Sequence, residues 1–289
     1  MSKASLFAPR LVTDIVSSRE PELLDQLYAL YALAFPLPDE REPRSAFDEI
    51  LAANEDFAVQ RRFGPWREVV AVIREWAGGP VVGGHVFGVT TSPAHRAAGC
   101  AASVQGIYTF LHPQVRGRLP MSALRDFMQA QAQATFGGDL DWPLAPPVFI
   151  EVNNPLRMSA AEVELDAQSS GVDPHRRYLF WQRSGFRPLA FDYVQPALQP
   201  GGRAALYLDL FCSGSGPVPA SLLAAHLRPF LAISVLKQRP ADSDPDAEAM
   251  LAALARNEEV GFVPPERADQ VLIRQRAAAL PRRLKSEAE

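Results

Sequence analysis

The chain has 289 residues, of which 47% are hydrophobic and 21% are charged, and its formal net charge is −4. These values are typical of a soluble globular protein, and the length suffices for one large domain or two modest ones. The slight negative charge argues against a surface for nucleic acid or anionic lipid. No apolar run predicts a transmembrane helix, and the N-terminus lacks the apolar core of a signal peptide. We therefore expect a cytoplasmic protein with no membrane and no nucleic-acid partner.

The cysteine and histidine content adds two further expectations. Cys100 and Cys212 lie far apart in the sequence, and without a secretion signal they are expected to be buried thiols rather than a disulfide. No spacing of Cys, His and Asp is typical of a metal site, so no metal is expected.

Hydrophobic periodicity and turn residues predict the elements of the N-terminal third. The apolar residues of two segments recur at helical spacing, and a Pro-rich stretch at 36–43 separates them. Two segments rich in β-branched residues flank Gly78-Gly79-Pro80, which predicts an antiparallel hairpin. The stretch 93–99 is predicted to be a loop. The predicted elements are a strand at 10–16, helices at 23–34 and 44–54, and strands at 69–76 and 81–89.

The middle of the chain alternates between strand and helix patterns. Pro120 and Pro174 suit the first position of a helix, where the missing N–H costs nothing, and Gly137 and Gly185 suit helix ends. The predicted elements of the chain up to residue 211 therefore follow the order βααββ, then βαβαβ, then a final strand. The predicted elements are a strand at 101–111, a helix at 120–136, a strand at 148–152, a helix at 174–184, and strands at 187–194 and 204–211.

The composition changes after Cys212, which divides the chain into a body at 1–212 and a helical extension at 213–289. A Gly/Ser/Pro linker at 213–219 precedes three helical patterns, at 220–236, 246–256 and 266–280. The first of these carries an apolar cluster too wide to face water. We expect the extension to dock on the body or on a second subunit of a homodimer, and an autonomous helical domain is the alternative. The apolar cluster consists of Leu222, Leu223, Leu227, Phe230, Leu231 and Ile233.

Two segments carry the functional signal. HPQVRGRLPMSAL, at 112–124, reads as a strand end, a basic loop and a helix start, where free backbone N–H groups and the helix dipole attract an anion. FWQRSGF, at 180–186, reads as a helix closed by Ser184 and Gly185 and followed by a strand. In this order, and after a strand, the two segments resemble the GNAT superfamily of N-acetyltransferases, which bind acyl-CoA. The resemblance covers about residues 10–211.

The resemblance implies a fold and an activity. The expected fold is α+β, with a mixed, mostly antiparallel central sheet flanked by helices and followed by the helical extension. The expected activity is transfer of an acyl group from acyl-CoA, with acetyl-CoA as the expected donor, to an amine of a small molecule or peptide. The alternative is a catalytically inactive, GNAT-shaped protein that binds a ligand or a partner.

The phosphate loop of the family has the pattern Q/R-x-x-G-x-G/A, and this chain departs from it. The residues implied to hold the diphosphate of CoA are Arg116, Gly117, Arg118, Leu119 and Met121. Leu119 and Met121 stand where the pattern has small residues. Arg116 and Arg118 compensate through charged hydrogen bonds to phosphate, or else they are solvated loop residues.

The segment FIEVNN resembles the fifth strand of GNAT enzymes, where some members use a glutamate as the base. Alternation along a strand puts Glu151 and Asn153 on one face with Phe149. The resemblance implies that Glu151 takes the proton of the amine, and that Asn153 and Asn154 bind the pantetheine amides. The alternatives are a structural carboxylate and asparagines that cap the loop before Pro155.

The remaining candidates concern the leaving thiolate and the thioester. The family tyrosine that protonates the thiolate is replaced by Trp181, which is expected to shape the pocket for the acyl-CoA or substrate or else to pack in the core. Tyr178 lies one helical turn earlier as a substitute acid or as a packing residue. The backbone of the strand at Tyr108, Thr109 and Phe110 is implied to polarise the thioester carbonyl. The insertion at 154–173 is a lid over the substrate cleft or a surface loop.

Overall fold

The computed structural model of the protein describes residues 11–16, 20–35, 41–138, 140–198 and 202–280. The first residue of the predicted strand at 10–16, most of the Pro-rich stretch at 36–43 and the tail at 281–289 lie outside the described residues. Every candidate site residue lies within them.

A seven-stranded sheet forms the centre of the molecule, in the order β1-β2-β3-β4-β5-β7-β6. Every pairing within it is antiparallel except that of β4 with β5, which is parallel. The predicted α+β class, with a mixed and mostly antiparallel sheet, is therefore confirmed. The strands are β1 (Val12–Ile15), β2 (Trp66–Arg74), β3 (Val81–Thr90), β4 (Ser103–Leu111), β5 (Val148–Asn153), β6 (Phe186–Pro188) and β7 (Leu208–Ser213).

Helices cover both faces of this sheet, and their starts follow the local signals. Asp173 caps one helix with its side chain, and a proline follows at the first helical position. The described helices are α1 (Pro21–Ala34), α2 (Arg44–Ala53), α3 (Phe57–Phe63), α4 (Pro93–Ala97), α5 (Met121–Phe136), α6 (Ala160–Ser170), α7 (Pro174–Arg183), α8 (Ala220–Pro229), α9 (Pro245–Leu254) and α10 (Ala268–Ala279). None of these described helices is long and apolar enough to cross a membrane.

The two faces of the sheet have separate cores. One face packs against α1, α2 and α3 in front of the N-terminal strands, and against α8 in front of β5 and β7. The other face packs against α5, α7 and α10. Glu151 and Phe149 point to the α8 face, as strand alternation predicts, because Val148, Ile150 and Val152 belong to the opposite core.

Several predicted boundaries are wrong, and each error has a local cause. The predicted loop at 93–99 contains α4, which Ser92 caps, and α3 was not predicted because its seven residues carry little periodicity. The predicted strand at 187–194 is only three residues long. Leu189 still donates to the carbonyl of Leu210 in β7 at 2.9 Å, but it also bridges to Phe262 of the C-terminal segment, and the next residue is hydrogen-bonded to that segment.

The C-terminal segment wraps around the β6 edge of the sheet. α8 continues as a π-helix, Phe230–Val235, where Pro229 interrupts the α-helical pattern. β8 (Val218–Pro219), which precedes α8, pairs with β9 (Glu259–Val260), which follows α9. The chain then continues to α10 on the opposite face. The large apolar residues predicted to need cover are buried against the body, so the extension and the sheet share one core.

Candidate functional site

The most distinctive feature of the sheet is a gap between β4 and β5. The parallel pairing covers only three registers and ends at Gly106 and Ile150. A bulge shifts the β3–β4 register, since Val86 pairs with Tyr108 and Phe87 with Gly106. Gly106 is needed at the last paired position, because a Cβ there would lie 2.9 Å from Cγ2 of Ile150. Beyond this point the two strands diverge.

The β4 candidates all border the gap, after the last residue of β4 that pairs with β5. Within the described residues, Tyr108, Thr109 and Phe110 have a partner strand on the β3 side only, so their backbone is open towards β5. Their side chains are engaged elsewhere: the Tyr108 ring packs 5.1 Å from that of Tyr31, and Thr109 Oγ1 lies 2.7 Å from Nδ1 of His85. A ligand in the gap would therefore meet their backbone and not their side chains.

The predicted phosphate loop lies at the start of α5, directly after β4. Gly117 has a φ of +84°, and nothing lies within 4 Å of the Cβ position there. Pro120 precedes α5, and no side chain caps that helix. Leu119 and Met121 are half-buried at the same end. The loop thus leaves an uncapped helix N-terminus, which suits an anion.

The two loop arginines have different surroundings. Arg118 forms an ion pair with Glu75, with 2.8 Å between Nη1 and Oε1. Arg116 is exposed, and its guanidinium lies 3.4 Å from the carbonyl oxygens of Leu111 and Ser170. Ser170 ends α6, the helix formed by the insertion at 154–173. The insertion therefore borders the phosphate loop, and Arg116 is the arginine with fewer constraints.

Glu151 lies on β5 beside the gap, directly after the last residue that pairs with β4, and it is half-buried. Burial raises its pKa to about 7, and a hydrogen bond from the Tyr193 hydroxyl opposes that rise. The distance from Tyr193 Oη to Glu151 Oε1 is 2.5 Å. A carboxyl with this pKa is about half ionised near neutral pH, which is suitable for a general base.

Sequence reasoning missed Tyr193. It lies in the irregular segment after β6, 42 residues from its partner, and its side chain is 1% exposed. No local motif connects FDYVQP with the strand that carries Glu151, so only the fold could reveal this pair.

The asparagines occupy different positions. Asn153 is half-buried on the Glu151 face of β5. Asn154 is buried, and its amide is used within the protein: Nδ2 donates to Asp209 at 2.9 Å, and Oδ1 accepts from the Leu156 backbone N–H at 3.0 Å. Asn154 therefore caps the following loop, and both ends of its amide are already bound within the protein.

Tyr178 is not brought near Glu151. It points into the core on the α7 side of the sheet, where its hydroxyl donates to Asp209 Oδ2 at 2.7 Å and accepts from Gln270 at 3.0 Å. Burial and the Asp209 carboxylate raise its pKa above the ordinary value. The expectation that Tyr178 acts as the acid finds no support in this geometry, because the residue is fully enclosed and strongly disfavours losing its proton.

Trp181 packs on the same side of the sheet. Its ring lies 5.4 Å from Phe180 and 5.6 Å from Phe186, and the residue is half-buried against the α7 core. These contacts place its ring in the packing of this side of the sheet.

The α8 helix and the following π-helix cross the Glu151 face of the sheet. Phe230 lies 5.9 Å from the ring of Trp66, and Ser234 donates to the carboxylate of Glu68, which also accepts from Trp66 Nε1 at 3.2 Å. Burial raises the pKa of Glu68. The extension is therefore joined to β2 through a buried carboxyl group.

A second polar chain joins α8 to β4. The ring of His226 connects Ser103 Oγ, at 2.8 Å, with Gln105 Oε1, at 3.0 Å, and Ser103 also contacts His95 at 2.7 Å. All four side chains are buried. Burial lowers the pKa of both histidines, to about 4 for His95, so the chain is neutral at physiological pH.

The parallel strand pair that opens after a bulge, followed by a loop and a helix start, is the arrangement that the resemblance implies. The sheet order and its single parallel pair therefore give the chain the fold that the resemblance implies. No group of three or more metal-ligating side chains is placed to hold a metal ion in the part of the chain that the structure describes.

Comparisons with known proteins found solved structures of low sequence identity. No family model matches the chain, and no curated protein matches it. A protein from Bacteroides thetaiotaomicron assigned to the GNAT acetyltransferases is 15% identical, with a TM-score of 0.47 over 78% of this chain and 98% of its own. An aminoglycoside 6′-N-acetyltransferase complexed with coenzyme A is 13% identical, with a TM-score of 0.40 over 70% and 94%. Naa20 of Chaetomium thermophilum, in complex with a bisubstrate analogue, is 14% identical, with a TM-score of 0.38 over 70% and 84%.

Proposed function

We propose that this protein is an N-acyltransferase that moves an acyl group from acyl-CoA, with acetyl-CoA as the expected donor, to an amine of a small molecule or peptide. The observation that carries the proposal is the position of Glu151. A carboxyl group with a pKa of about 7 lies beside the gap where β4 and β5 diverge, and it retains a partly exposed side chain.

Each part of the reaction has a candidate group. Glu151 takes a proton from the amine as the amine nitrogen attacks the thioester carbonyl. The open backbone of β4 beyond Gly106 polarises that carbonyl. The C–N bond forms, the C–S bond breaks, and the sulfur leaves as a thiolate. A thiol has a pKa of about 8.5, so its anion leaves without a dedicated acid near neutral pH. The burial of Tyr178 is thus compatible with acyl transfer.

The donor site rests on the loop before α5. Arg116 is exposed beside an uncapped helix N-terminus, and Gly117 leaves open space at its Cβ position. These features fit a diphosphate group. Arg118 is less suited to this role because Glu75 already binds it.

A GNAT-shaped binding protein without activity is the second candidate. The observation that favours it is the bulk of Leu119 and Met121 at the mouth of the phosphate loop, where glycines would let a diphosphate approach the backbone. Such a protein would bind a ligand or partner on the same cleft without turnover.

Titration calorimetry with acetyl-CoA and longer acyl-CoA esters tests the donor site. We expect Arg116→Ala to weaken binding by about 1.5–3 kcal/mol, the scale of a hydrogen bond to a charged group. Arg61→Ala, which removes an exposed arginine of α3, is the matched control and should leave binding unchanged. No heat with any CoA ester up to millimolar concentration would exclude the acyltransferase.

Turnover tests the base. Where acyl transfer to a panel of amines is detected, Glu151→Gln should lower turnover about 100-fold or more and remove the inflection near pH 7. Unchanged turnover in this variant would assign proton removal to another group.

A further inference from the structure

Glu151 is held at one oxygen only. Its Oε1 accepts the hydroxyl proton of Tyr193 at 2.5 Å, while Oε2 accepts no hydrogen bond from the residues that the structure describes. Tyr193 is almost completely enclosed, whereas Glu151 remains half-buried. The tyrosine thus binds the inner oxygen and leaves the other oxygen free for a ligand.

The C-terminal extension holds the segment that carries Tyr193. The backbone N–H of Ala190 donates to the carbonyl of Gly261 at 2.8 Å, and Leu189 bridges to Phe262. The N–H of Val194 lies 3.3 Å from the sulfur of Met250 in α9. The backbone is therefore fixed on both sides of Tyr193 by residues beyond 213.

Fixing one oxygen has two physical consequences. The hydrogen bond fixes the orientation of the carboxylate before a substrate binds, so less conformational entropy is lost on binding. The hydrogen bond also favours the ionised form and opposes the effect of burial on the pKa.

Other titratable groups around β5 do not duplicate this effect. On the same face, the ring of His226 of α8 lies 4.4 Å from that of Phe149 and is kept neutral by burial. Tyr108 of β4 has a pKa well above its ordinary value, so it is uncharged. Asp209 of β7 points to the opposite face, where Tyr178 donates to it. Burial raises the pKa of Glu151, and the hydrogen bond from Tyr193 lowers it.

We propose that Tyr193 is a positioning residue that orients the Glu151 carboxylate towards the gap between β4 and β5, and that the C-terminal extension is the element that keeps it there. This inference rests on the proposed function, because it takes Glu151 to be the base.

Tyr193→Phe tests the proposal, because it removes the hydroxyl and keeps the ring that packs in the core. The carboxyl carbon of Glu151, followed by NMR in protein labelled at glutamate and assigned with Glu151→Gln, should titrate at a pH on the order of one unit higher. The lower limb of the pH–rate profile should move by the same amount, with turnover at pH 7 reduced about fivefold. The KM for the acyl-CoA should not change.

Tyr28→Phe, which removes a tyrosine hydroxyl from α1, is the control and should change neither the carboxyl titration nor the profile. A Glu151 carboxyl that titrates at the same pH in Tyr193→Phe as in the wild type overturns the proposal. The NMR titration does not require turnover. A wild-type protein without acyl transfer therefore refutes the proposed function, while the titration still decides whether Tyr193 controls the carboxyl group.

Discussion

A methyl group added at Gly88 should destabilise the protein, because Trp66 covers this position. A Cβ at Gly88 would lie 1.9 Å from Cζ2 and 2.2 Å from Cη2 of the indole ring. Carbon atoms pack at about 3.5–4.0 Å, so the ring would have to retreat by roughly 1.5 Å or more. Trp66 is 2% exposed and lies under Phe230, and its Nε1 donates to the buried carboxyl of Glu68. It therefore has little room to move.

The expected magnitude follows from these contacts. Overpacking a core costs about 1–3 kcal/mol, and losing a hydrogen bond to a charged or buried partner costs about 1.5–3 kcal/mol. We expect Gly88→Ala to lower the free energy of unfolding by about 3 kcal/mol. The melting temperature should fall by about 6–12 °C.

Urea unfolding and calorimetry measure this effect, with Gly214→Ala as the matched control. No atom lies within 4 Å of the Cβ position at Gly214, so that change should stay within about 0.5 kcal/mol. In a Trp66→Leu background, Gly88→Ala should cost less than about 1 kcal/mol, because the obstructing atoms are gone. An equal cost in both backgrounds, or a Gly88→Ala protein as stable as the wild type, would refute the reasoning.

Three further changes separate structural from catalytic roles. Tyr178→Phe should destabilise the fold by about 1–3 kcal/mol, because it leaves Asp209 without its hydroxyl donor, and the pH–rate profile should keep its shape; a lost inflection would restore Tyr178 as an acid. Removing all residues after Gly216 should cause aggregation or a clear fall in melting temperature, since α8 shares the core of the sheet; a monomer that melts like the full chain would contradict this. Folding raises the pKa of Glu151 from 4.5 to about 7, so the protonated carboxyl group contributes to stability. This contribution is complete below pH 4.5 and is lost as the pH rises through 7. Glu151→Gln should therefore gain about 2–3 kcal/mol relative to wild type between pH 5 and pH 8 in urea unfolding, and equal stability differences at both pH values would exclude a raised pKa.

Local signals predicted the elements that depend on local physics. The turn at Gly78, where φ is +73°, produces the β2–β3 hairpin, and Pro174 with its Asp173 cap starts α7 as expected. Such signals act within a few residues, where backbone sterics and capping hydrogen bonds are independent of the remaining fold. The strand predicted at 187–194 failed for the opposite reason, since its end is set by a bridge to Phe262.

The candidate site divides in the same way. Alternation in FIEVNN was enough to place Glu151 and Asn153 together on one face of β5, because side chains on a strand alternate whatever surrounds them. It could not reveal that Tyr193 binds Glu151, that Tyr178 is enclosed with Asp209, or that the Asn154 amide donates to Asp209. Those contacts join residues far apart in the chain, or depend on how deeply each group is buried. The burial of a group and its hydrogen-bond partners determine its pKa and whether its polar atoms stay free. Both the burial and the partners arise only when the sheet and its extension have packed together.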